Sequence, residues 1–194
     1  MSQPAQRPLR ADAERSVRTI LEAAEQVLAQ DPGASMEQIA EASGLARTTV
    51  HRRFASRQAL IDALAVSAVR QLAAAVEESH PDTAPPLVVM HRATANVLRL
   101  KNAWRFALSL HTEDDGSEAG VVWQQLAERC TQLLERARAA GLIDAGADLD
   151  WVRRCYYALL GEAAHGRPDE VEDPELLAAK VVDALLHGVA PRAT

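Results

Sequence analysis

Val17, Ile20, Leu21, Ala24, Val27 and Leu28 recur at spacings of three and four, which lines one face of a helix ending before Asp31-Pro32-Gly33. Ser35 follows, with Gln38 three residues on. That pair predicts a capping box, in which both side chains satisfy backbone N–H groups at a helix start. A short second helix runs from there to about Ser43, and Gly44 supplies the left-handed conformation that ends it. Leu45 and Val50 resume an apolar face that reaches Phe54, the third helix. Ser56 caps a fourth, whose Leu60, Leu64, Val69, Leu72 and Val76 point inward until His80-Pro81 stops it.

Beyond the prolines at 81, 85 and 86 the periodicity predicts helices near 86–100, 102–111, 118–140, 149–165 and 174–188, separated by breaks such as TEDDGSEAG and GRPDEVEDP. Alanine-rich runs with few β-branched residues favour helix throughout, so the expected fold is all-α with about nine helices. The segment MSQPAQRPLR lacks the apolar stretch of a signal peptide, and no uncharged apolar run approaches the ~20 residues of a membrane span. A cytoplasmic protein with no membrane partner is expected. Cys130 and Cys155 lie within helical patterns without CxxC spacing, as reduced, buried thiols do.

The chain has a formal net charge of −6, yet no acid occurs between Glu41 and Asp62, where Arg47, Arg52, Arg53 and Arg57 fall. Clustering rather than total charge makes a field that attracts phosphates. Two short helices flanking a glycine turn are the arrangement of a helix-turn-helix, whose second helix enters the DNA major groove. Ala40 lets the helices approach, Gly44 makes the turn, and Val50 anchors the second helix. Arg47, Thr48, His51 and Arg52 then face outward. The helix from Ala46 to Phe54 is expected to place Arg47 and Thr48 or Thr49 near base edges, with Ser35, His51, Arg52 and Arg57 toward phosphates.

RTILEAAEQVLAQ followed by SMEQIAEASGLARTTVHRRFASRQALIDAL resembles the N-terminal domain of the TetR family of bacterial regulators over about residues 15–65. The resemblance implies a three-helix DNA-binding domain at 1–56, a linking helix at 57–80 and a helical effector-binding and dimerisation domain at 81–194. It implies that Ser35 caps the second helix and touches phosphate, that Arg47, Thr48 and Thr49 contact bases and backbone, and that Arg57 contacts phosphate. Ala46 stands where the family has a capping Ser or Thr, and His51 and Arg53 replace its usual Tyr and His. The expected function is a repressor, without cofactor or catalysis, released from a palindromic operator in double-stranded DNA by a small molecule. The alternative is a DNA-binding module controlled by a protein partner.

Six of the seven aromatic residues fall between Trp104 and Tyr157. Each can serve as core, but the resemblance favours a pocket for an apolar or aromatic effector in this segment. Met90, Trp104, Trp123, Cys130 and Tyr156 are candidates to line it, with His111 and Asn96 as polar groups. Bound ligand would tilt the fourth helix and change the spacing of the recognition helices. A homodimer is expected from apolar stripes on the last two helices, which include Val152, Leu159 and Ala163 on one and Val181, Ala184, Leu185 and Gly188 on the other. Glu77/His80 and Glu162/His165 have the i, i+3 spacing of di-iron bundle ligands. Both pairs end their helices, where ligands would miss a bundle's interior, so no metal is expected.

Overall fold

Nine helices and no strand are present among the residues that the computed structural model describes, 6–109, 116–164 and 173–189. In chain order these are α1 (Gln6–Gln30), α2 (Met36–Ser43), α3 (Arg47–Arg53), α4 (Arg57–Glu77), α5 (Pro86–Ala103), α6 (Arg105–Ser109), α7 (Glu118–Ala139), α8 (Leu149–Ala164) and α9 (Pro174–Val189). Most starts are set by a nearby side-chain oxygen. The Ser35 hydroxyl accepts from the Gln38 N–H at 3.3 Å while the Gln38 amide oxygen accepts from the Ser35 N–H at 2.8 Å, a complete capping box. Ser117 accepts from Gly120 at 3.0 Å, Asp148 from Asp150 at 3.0 Å and Asp173 from Glu175 at 3.0 Å, opening α7, α8 and α9.

The chain forms two compact units. One comprises Met1–Ala68 with Trp104–His111, the other Val69–Ala103 with Thr112–Thr194. This division differs from the sequence boundaries at 56 and 80: it falls inside α4 and assigns α6 to the first unit. The physical reason for the second difference is Glu25 of α1, whose buried carboxylate accepts the N–H groups of Phe106 at 2.6 Å and Ala107 at 2.9 Å.

In the first unit Ile20, Ala24 and Leu28 of α1, Ile39 and Ala40 of α2, Val50 of α3 and Leu60 and Leu64 of α4 are buried. Gly44 closes α2 at φ 66, ψ 11 and sets the angle into α3. In the second unit Val89, Met90, Leu133, Leu134, Ala137, Ile143, Val152, Val182 and Leu185 make one apolar cluster drawn from α5, α7, α8, α9 and the segment before α8. Its turn at 78–85 is held by arginines from α7. Arg129 bridges Glu77 and Asp82 at 2.8–3.0 Å, and Arg136 donates to the carbonyls of Pro81 and, at 2.8 Å, Ala84. By length and composition α4 is apolar enough to cross a membrane, but its Leu60, Leu64, Ala68, Val69 and Leu72 are buried within the folded chain and Asp62 and Arg70 are exposed.

A Cβ built on Gly44 would meet nothing within 4 Å, so the demand for glycine there is conformational. Gly44→Ala should cost about 1–2 kcal/mol, the penalty of the left-handed region for an L side chain. A lowered Tm of the DNA-free protein checks this, and an unchanged Tm refutes it.

Candidate nucleic-acid interface

The period of α3 buries Val50 completely and leaves Arg47, Thr48, His51 and Arg52 exposed on the opposite side. Thr49 and Arg53 lie at the margins, half-buried. The Arg53 Nε is shielded from solvent without a hydrogen-bond partner, so this arginine belongs partly to the packing of the unit. Ala46, at φ −58, ψ 137, offers no side-chain cap to α3.

In space the cationic window is not free of acid. Glu37, in the first turn of α2, pairs with Arg47, both side chains remaining largely exposed. Its own backbone N–H at the helix start, and then the Arg47 guanidinium, hold the Glu37 carboxyl below its ordinary range. The linear sequence hid this pair because the α2–turn–α3 geometry closes a separation of ten residues. Arg57 is also engaged within the chain: its Nε donates to the Ala34 carbonyl at 3.1 Å and its Nη2 to the Pro32 carbonyl at 2.5 Å. It locks the α1–α2 turn, so its role begins as structural, with fewer N–H groups left to offer a phosphate. Ser35 likewise has its hydroxyl engaged by Gln38.

Trp104, 8% exposed, belongs to the first unit, whereas Met90, Trp123, Cys130 and Tyr156 belong to the second. His111 lies outside the described residues. Met90 is part of the apolar cluster, with Cys130 and Tyr156 packed against it. The Thr94 hydroxyl, which sequence reasoning missed, donates to the Met90 carbonyl at 2.6 Å and lies 2.8 Å from the Tyr156 hydroxyl. Burial raises the Tyr156 hydroxyl's pKa above its ordinary value, and it pushes the Cys130 thiol up to about 11. A separate open groove of about 400 Å³ lies between α5 and α9, lined by His91, Arg92, Asn96, Arg99 and Glu175 over Ala95 and Ala178. Of the sequence candidates only Asn96 reaches it, and its amide is already bonded to the Ala75 carbonyl and to Arg99. Among the described residues no group of three or more His, Cys, Asp or Glu could hold a metal ion.

The expected dimer stripes are in part occupied within the chain itself. Val152, Val181 and Leu185 are 1%, 4% and 2% exposed in the single chain and have no area left to bury against a partner. Periodicity identified an apolar face correctly, but α8 and α9 turn that face into their own unit. Leu159 and Ala163 are half-buried and Ala184 exposed, whereas the surroundings of Gly188 lie outside the described residues. The large apolar residues left outward on these helices are Trp151, 57% exposed and covered on one side by the Arg154 guanidinium, and Leu176, 61% exposed.

Residues 20–64 match the family described as bacterial regulatory proteins, tetR family. Over 176 residues, 91% of this chain and 91% of the relative, the sequence is 28% identical to the HTH-type transcriptional repressor LfrR of Mycolicibacterium smegmatis. The crystal structure of the TetR-like transcriptional regulator LfrR from Mycobacterium smegmatis in complex with proflavine is similar at TM-score 0.69 and 26% identity, covering 92% of this chain and 99% of that one. The TetR family regulator PfmR from Thermus thermophilus shares the fold at TM-score 0.73 and 19% identity, over 87% and 97% of the two chains.

Because Arg57 bonds two loop carbonyls, Arg57→Ala should destabilise the DNA-free protein by about 1–3 kcal/mol. Thermal unfolding reads this directly, and an unchanged Tm would return Arg57 to a role on DNA alone.

Proposed function

The chain belongs to the TetR family and is a DNA-binding transcriptional regulator, and from that premise we propose that it is a repressor released from a palindromic operator by a small aromatic effector. The observation that carries the DNA side is the outward row on α3, Arg47, Thr48, His51 and Arg52, opposite the buried Val50. Arg47 suits bidentate contact with a guanine edge, and Arg52 and His51 suit phosphates. On the effector side, the relative LfrR was crystallised with proflavine, a planar aromatic cation. The second unit of this chain offers apolar Met90 and Tyr156 with one buried hydroxyl pair, Thr94 and Tyr156, to orient such a ligand. Its action on DNA implies a cytoplasmic location.

One experiment tests both sides. Operator fragments are selected from genomic DNA, and their affinity is measured for the parent and for the Arg47→Ala, Arg52→Ala double variant, with and without proflavine. Loss of Arg47 alone should cost roughly 1–3 kcal/mol and relax preference at one or two base pairs, and loss of Arg52 should lower affinity on all sequences. Proflavine should raise the parent's Tm with concentration and weaken operator binding. Unchanged operator affinity in the double variant would sink the DNA assignment. A panel of aromatic cations that neither stabilises the protein nor releases DNA would sink the effector reading and leave DNA binding standing.

The repressor acts as a homodimer through the outward faces of α8 and α9, carried by the exposed Trp151 and Leu176, with the exposed Ala184 further along α9. Two-fold symmetry matches two half-sites about 34 Å apart or a multiple of that. Sedimentation should show a dimer for the parent at micromolar concentration and a monomer for Trp151→Glu, with operator affinity lost alongside. A dimeric Trp151→Glu variant would move the interface elsewhere.

A further inference from the structure

α6 is five residues long, Arg105–Ser109, too short to persist on its own hydrogen bonds. Its first-turn N–H groups have no carbonyl within the helix to meet. Two of them, on Phe106 and Ala107, donate to the two oxygens of Glu25, 81 and 82 residues earlier on α1, at 2.6 and 2.9 Å. Glu25 is only 4% exposed, and among the described residues no cationic side chain pairs with it. Burial raises its carboxyl above its ordinary pKa, and the two N–H bonds work against that rise.

Each side of this contact therefore depends on the other. Undocked, α6 loses its cap, and Glu25 keeps a buried carboxylate without donors, which is costlier than a lost neutral hydrogen bond. Docking of the segment and formation of α6 therefore support one another. Only Trp104 separates it in sequence from Ala103, the last residue of α5. Hydrogen bonds of this kind fail within about 1 Å of displacement, so a small movement of α5 is enough to open the contact.

We infer that Glu25 is a positioning residue for the regulatory response: a latch on α1 that holds α6 in the DNA-binding unit while the protein is competent for operator, and releases it when an effector moves α5. The link to an effector rests on the reading proposed above. The link to DNA competence is testable without one.

The test uses the full chain without ligand. Glu25→Gln keeps the size of the side chain but leaves one acceptor oxygen and turns an NH2 toward an N–H group. Glu25→Asp keeps the charge but shortens the side chain by one methylene, which draws the carboxylate away from both N–H groups, and it carries the test alone if Glu25→Gln does not fold. Hydrogen exchange at the Phe106 amide should accelerate about tenfold in each variant. Operator affinity should fall about tenfold, within the usual range of coupling between sites. The measurement is made well below Tm, with the active fraction fixed by stoichiometric titration, so a merely structural role would lower Tm and leave this affinity unmoved. Accelerated exchange with parental operator affinity overturns the proposal, as does exchange at the parental rate. If the variants behave as expected but no small molecule releases the parent, the effector reading fails and the latch stands.

Discussion

Every helix start leaves backbone N–H groups without a partner inside the helix, and among the described residues there is no strand whose carbonyls could accept them. Where that acceptor comes from decides how independent each helix is. Ser35, Ser117, Asp148 and Asp173 supply it locally, so α2, α7, α8 and α9 begin where the sequence says they must. α6 takes its acceptor from Glu25, on a helix far away in sequence, and its existence is a tertiary fact. The same accounting applies to loop carbonyls, which have no helix to receive a donor from. Arg57 serves those at 32 and 34, and Arg136 those at 81 and 84. In this protein several arginines are donors to backbone before they are charges on a surface.

This distinction also explains which features were legible in the sequence. Caps and turn residues act over three or four positions, so α2 at Met36–Ser43 and the glycine turn after it could be read directly. Apolar periodicity told which face of α8 and α9 is buried, because a stripe at helical spacing has to leave water. It could not tell what buries that face, and Val152, Val181 and Leu185 sit inside their own unit instead of against a second chain. Glu25 shows the opposite failure. An acid one position after the apolar Ala24 reads as the edge of a solvated face, and only the arrival of α6 shows why a carboxylate is buried there.

On the recognition face the local picture governs the long-range one. Surface charges more than about 8–10 Å apart are largely screened at physiological salt, so on the proposed reading the net charge of −6 does little to oppose a phosphate drawn to Arg52. Glu37 is different, because it pairs directly with Arg47. A random stretch of duplex offers Arg47 only diffuse attraction and brings phosphates near the Glu37 carboxylate, which repels them. A base edge with two acceptors, such as guanine, offers the planar guanidinium a bidentate partner and can replace Glu37 in full. On the proposed reading the carboxylate is therefore a discriminating element: it weakens binding to all DNA, and weakens it most where Arg47 gains nothing in return. Removing that charge would be expected to tighten non-specific binding more than operator binding, which is the opposite of what loss of an ordinary stabilising ion pair would do.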